Sequence, residues 1–241
     1  MAVEKQTNGA SGAFGSLKVK TVGSGKERVK VVLLPGHEYG IEHFLPENLE
    51  TIERKGNADR TRLVRSKLEQ RKWIFWRKQP RFILKGNRTR DFYPKPRLTP
   101  DSELRLARFV SKLGVRGVKV EQPLAVLMRP SGAHEVVYRE ISPFHDLVGK
   151  TLDSSRGASF RVILTRILSH FTPAQHRVIE RLDFRLTKEG IIPADFLGNI
   201  EPGKFGTVHL FDLEYWQVPD ELSKRLRLKY VVDRPDRKMP W

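Results

Sequence analysis

The sequence predicts an α+β protein of two lobes, strand-rich first and mainly helical second. Three observations predict it. Short runs of β-branched and aromatic residues, bounded by Pro, Gly and Asn, fill residues 28–141. From Phe160 onward apolar residues recur at helical spacing instead. Strands also precede most of the helices rather than alternating with them, which favours segregated lobes over βαβ units. At 241 residues and 39% hydrophobic composition, the chain can bury a sizeable core.

The elements follow in order. Residues 1–28 are Gly- and Ser-rich with few large apolar side chains, and are expected to form a flexible tail. The strand-rich lobe is expected over residues 29–141. Its first strand, 28–34, stops at Pro35-Gly36. Further strands are expected at 49–54, 61–68, 72–77 and 81–85, the last two as a hairpin around Gln79-Pro80. Thr99-Pro100 opens a helix, with Pro at the first helical position, and Leu106, Val110 and Leu113 share one face before Gly114. Strands at 118–128 and 135–141 complete the lobe.

The helical lobe is expected over residues 142–241. Phe160, Ile163, Ile167 and Phe171 form one apolar stripe. Thr172-Pro173 starts a second helix, with Ile179, Leu182 and Leu186 aligned and Gly190 as its stop. A strand at 207–211 and an amphipathic stretch at 219–230 follow. Trp216 and Trp241 are expected to be packing residues.

Composition narrows the function classes. There is no cysteine, so disulfides, thiolate zinc sites and thiol catalysis are excluded. The seven histidines are scattered and show no H-E-x-x-H spacing. No apolar run reaches membrane-span length and no signal-peptide core is visible, so a cytoplasmic protein is expected, peripheral at the inner face of a membrane if its target lies there. The net charge is +17, and between Arg54 and Arg97 there are 16 basic and only 3 acidic residues. Such an excess calls for a polyanionic partner. The classes are a nucleotide, an anionic membrane or glycan surface, or nucleic acid bound through this basic stretch.

One constellation of polar residues fits the two-lobe order. Lys85 ends the apolar strand Phe82-Ile83-Leu84-Lys85. Glu103 precedes Leu106 by three residues and so shares the inward face of its helix. After the helix that stops at Gly190 comes Ile191-Ile192-Pro193-Ala194-Asp195-Phe196-Leu197-Gly198-Asn199, and a later strand leads into Phe211-Asp212-Leu213-Glu214.

In these stretches the chain resembles the protein-kinase-like superfamily, and within it the small bacterial lipopolysaccharide (Kdo/heptose) kinases. The resemblance runs from about Leu49 to Trp216. It implies a two-lobed kinase-like fold, ATP and Mg²⁺ as cofactors, and phosphotransfer to a hydroxyl of a sugar, glycolipid or other small acceptor. Carried over, Lys85 is the phosphate lysine, Glu103 its partner, Asp195 the catalytic base, and Asn199 and Asp212 the metal ligands. Gly56 supplies the only glycine of a phosphate-covering loop.

Three departures accompany it. Pro193 stands where the family has His, one glycine stands where it has several, and three residues separate Asp195 from Asn199 where it has four. Anchored on Asn199, the base position falls on Ala194; anchored on Asp195, the loop is one residue short. The resemblance therefore carries a second reading, a catalytically degenerate pseudokinase that serves as a binding or regulatory scaffold.

Overall fold

A computed structural model describes residues 17–55, 61–73, 76–86, 96–131, 133–141, 151, 154, 157, 159–194 and 196–232. Gly56, Asp195 and Trp241 lie outside them. In chain order the strands are β1 (Lys18–Val22), β2 (Val29–Leu33), β3 (Leu49–Lys55), β4 (Thr61–Ser66), β5 (Gln70–Trp73), β6 (Trp76–Lys78), β7 (Arg81–Gly86), β8 (Pro96–Leu98), β9 (Val118–Val120), β10 (Pro123–Met128), β11 (His134–Arg139), β12 (Ile200–Pro202), β13 (Val208–Leu210) and β14 (Tyr230–Val232). The α-helices among the described residues are α1 (Pro100–Ser111), α2 (Phe160–Leu168), α3 (Pro173–Lys188) and α4 (Asp220–Leu226). The protein is thus α+β, with strands leading and helices following, as expected. No helix among the described residues is long and apolar enough to cross a membrane.

The described residues form two compact units. The first takes the residues before Tyr93 together with Pro123–Glu140; the second takes Pro94–Gln122 and Ile141–Val232. This division differs from a single boundary at residue 141. The reason is α1, whose apolar stripe of Leu106, Ala107 and Val110 belongs to the same buried cluster as Ile167, Leu182 and Leu186.

The first unit is built on a seven-stranded sheet of order β1-β2-β10-β11-β7-β4-β3, antiparallel throughout. Alternation assigns the side chains to its faces. Phe82 and Leu84 of β7, Val64 of β4 and Val137 of β11 join Phe44 in one cluster. Ile83 and Lys85 point to the opposite face with their ladder partners Leu63, Val136 and Tyr138.

Two expectations are corrected in this unit. Lys18–Val22 is not tail but a strand paired with β2, because Val22 has apolar surface to pack against the Phe44 cluster. The hairpin around Gln79-Pro80 does not form: β6 pairs with β5, whereas β7 pairs with β4 and β11. A central position for β7 buries Phe82 and Leu84 almost completely. Pro80, which lacks an N–H, contributes its carbonyl instead, accepting from Ser66 N–H at 2.9 Å.

The second unit packs its helices around Leu182, Leu186, Leu213 and Trp216, all with no exposed surface. Thr99 caps α1, its hydroxyl oxygen accepting from Ser102 N–H at 3.3 Å, and Pro100 takes the first helical position as expected. The strand expected over 118–128 is two strands. Glu121 donates its N–H to Leu210 O at 2.8 Å, so β9 stays with the second unit, and Pro123 begins β10 of the first. β9 runs parallel to β13, which pairs antiparallel with β12, and β8 pairs with β14. Trp216 is a packing residue, as expected.

Candidate functional site

The β12–β13 hairpin organises the site. Ile200 faces Leu210 and Pro202 faces Val208 across the ladder. Asn199 closes a 3-10 turn, Phe196–Asn199, immediately before β12. Its carbonyl accepts from Phe211 N–H at 2.9 Å, extending the ladder one step beyond the strands. Asp212 follows directly. Two residues that lie 13 apart in sequence are therefore brought to the same end of one hairpin by ordinary strand pairing.

Each of the two residues has a distinct local geometry. Asn199 donates its amide N–H to Ala194 O at 3.2 Å, which leaves the amide carbonyl as the group able to serve a cation or donor. Asp212 has φ 51 and ψ 50, in the left-handed region. That region costs a residue with a Cβ roughly 1–2 kcal/mol, less for Asp, so the surrounding packing must hold it. The holding groups are visible. Leu213 and Trp216 are fully buried just beyond it, and Arg97 Nη1 of β8 donates to Glu214 Oε2 at 3.2 Å. Arg97 is itself only 4% exposed, so its side of this ion pair is shielded from solvent, while Glu214 is half-buried. Helix α1 packs on the same 3-10 turn, Leu213–Tyr215.

The far end of the hairpin is tied to α3. Thr172 and Gln175 form a reciprocal capping box, each side chain satisfying the other residue's backbone N–H. Gln175 also spends both amide protons on the hairpin, donating to Gly203 O at 2.9 Å and Thr207 O at 2.8 Å. In the middle of the ladder His209 is 2% exposed. Burial, together with the Lys119 ammonium opposite it, pushes its pKa down to about 4. The imidazole is thus neutral under ordinary conditions.

The remaining predicted site residues fall as follows. Glu103 sits in the first turn of α1, 2% exposed, in the same unit as Asn199 and Asp212. Lys85 belongs to the first unit, where its ammonium stands 4.6 Å from the centre of the Tyr138 ring, a cation–π contact. The structure brings Asn199 and Asp212 together; Lys85 lies in the other unit from these and from Glu103.

No protein-family model and no curated protein matches the chain. Among solved structures it is similar to the Cydia pomonella granulovirus kinase PK-1, at 13% sequence identity and a TM-score of 0.41, over 72% of this chain and 54% of that one. The chain matches about half the length of that kinase.

Sequence reasoning missed Arg97, Gln175 and His209. The pattern Thr172-x-x-Gln175 is a legible capping-box signal. The Arg97–Glu214 pair spans 117 positions and leaves no local trace.

The basic stretch reads differently once its partners are seen. Arg62 pairs with Glu135, Arg65 with Glu50, Arg81 with Glu140 and Arg97 with Glu214. All four carboxylates come from outside the stretch, so part of its charge is locally balanced.

Proposed function

We propose that the chain is a kinase-like protein that binds a nucleoside triphosphate with Mg²⁺. The single observation that carries this reading is the β12–β13 hairpin, which sets Asn199 beside Phe211 and Asp212. The donor set fits a hard cation: one amide oxygen and one carboxylate. Among the described residues no three His, Asp or Glu side chains cluster as an all-protein metal site. Mg²⁺ ordinarily takes one or two protein oxygens and completes its shell with phosphate and water, which this pair suits. When bound, the ion neutralises phosphate charge. Asp212 and Asn199 would hold it; the roles of phosphate lysine for Lys85 and of its partner for Glu103 rest on the resemblance of the sequence alone. Gly56 would help cover the phosphates through its backbone N–H.

Phosphotransfer to a hydroxyl of a sugar, glycolipid or other small acceptor further requires a base, the role of Asp195. Binding without transfer is the second reading: anchored on Asn199, whose amide donates to Ala194 O, the base position falls on Ala194, which has no proton acceptor. Anchored on Asp195, the loop is one residue short.

Thermal unfolding with ATP and Mg²⁺ tests both readings. ATP at a hundredfold excess over Kd raises Tm by roughly 5–10 °C in a chain of this size. The rise vanishes in Asp212→Asn and shrinks in Lys85→Ala. A rise with transfer of labelled γ-phosphate, lost in Asp195→Asn, establishes the kinase; a rise without transfer establishes the pseudokinase. No rise with any Mg²⁺ nucleotide overturns the proposal.

A further inference from the structure

An open groove of about 530 Å³ lies on the second unit where the α1–β9 connection meets the outer face of α3. Gly114 and Val115 form one side, and Arg116, Glu180, Arg181, Phe184 and Arg185 line the rest. Three features set it apart. Phe184 is 67% exposed, on a helix whose apolar stripe of Ile179, Leu182 and Leu186 is already buried elsewhere. The side chains of Arg116, Arg181 and Arg185 make no hydrogen bond or ion pair among the described residues, unlike Arg62, Arg65 and Arg81 of the first unit. Arg181 and Arg185 stand one helical turn apart, about 6 Å along the axis, with Phe184 beside them on the same face.

We propose that this groove binds single-stranded nucleic acid. Guanidinium groups recognise phosphate through paired N–H donors, and all the cations lining this groove are arginine rather than lysine. An exposed ring beside them offers a stacking platform for a base, the combination that characterises single-strand binding surfaces. An acidic peptide would use the cations but not the ring. A lipid surface would call for a wider apolar rim than one phenylalanine supplies. The stripe continues along α3 with exposed Arg177 and Lys188, giving a strand a direction in which to run. Glu180 is the one opposing charge in the lining and tempers the affinity.

The test is fluorescence anisotropy of a labelled oligouridylate with the full chain, between about 50 and 200 mM salt. Phe184→Ala weakens binding roughly tenfold and leaves the salt dependence in place. Arg181→Ala with Arg185→Ala lowers the slope of log affinity against log salt by about 1.4, the release of two single-strand counterions. Glu180→Gln tightens binding. These side chains are exposed, and unchanged circular dichroism shows that the variants are folded. Wild-type affinity and slope in the variants place any binding elsewhere, including on the first unit, and overturn the proposal. So does failure of the oligonucleotide to bind, or wild-type binding of polyglutamate or anionic vesicles that the double arginine variant abolishes while oligonucleotide binding persists.

Discussion

Asp212 shows how local constraints gather on a single residue. It occupies a left-handed backbone, follows a buried strand, and precedes a turn clamped by the Arg97–Glu214 pair. His209, three positions earlier, carries a different liability. Its pKa lies near 4 in the folded chain and near the ordinary 6.5 when unfolded. Protons therefore favour the unfolded state, so the stability tied to neutral His209 is complete above about pH 6.5 and is lost as pH falls toward 4. Between pH 7 and pH 5 the loss is about 2 kcal/mol. Urea unfolding at the two pH values should show a fall smaller by that amount in His209→Gln; an equal fall in the variant would contradict the assignment. Asp212 and Asn199 were legible in sequence because each abuts an apolar run that pairs locally. Arg97 was not, since its role depends on a partner brought in by tertiary folding.

At the level of elements, the capping box of α3 does more than start a helix. Gln175 satisfies the hairpin carbonyls of Gly203 and Thr207 as well as the Thr172 N–H. Gln175→Ala removes the reciprocal cap and leaves carbonyls at the hairpin without those donors, at a cost of about 2–3 kcal/mol. Gln175→Glu restores the reciprocal cap but not the two donors, and should recover only part of that loss in chemical denaturation. Equal stability of all three proteins would show that the hairpin holds itself. Helices α1 and α3 were readable from the sequence because Thr-Pro marks both starts and the apolar spacing is regular. Strand pairing was less so. Apolar alternation in 72–77 and 81–85 announces strands, but the ladder partner is decided by which strand buries Phe82 and Leu84. Likewise 118–128 reads as one apolar run, although its two halves serve different cores.

At the scale of the molecule, the described chain passes between the units at three places, near residues 93, 122 and 140. Neither unit is a continuous segment. A fragment Ile141–Val232 lacks Leu98, Leu106, Val110 and Val120 of its own core. It should show no cooperative melting transition by circular dichroism, whereas the full chain does; a sharp transition in the fragment would show that α1, β8 and β9 are dispensable. The α+β class was legible because strands and helices are segregated along most of the sequence. The interleaving was not, because nothing local distinguishes a helix that covers its own sheet from one that joins the other core. Among the described residues the large sheet is bordered by β1 and β3, and those borders carry a further consequence. On β1, Lys18 and Lys20 stand opposite Leu33 and Val31, on the side of the sheet where the apolar residues gather, and β3 carries a bulge between Thr51 and Glu53 before Arg54 and Lys55. Any second sheet adding to either border would have to bury ammonium groups or match a broken register. Part of the positive charge thus guards the molecule against templated self-association, a use that requires no ligand at all.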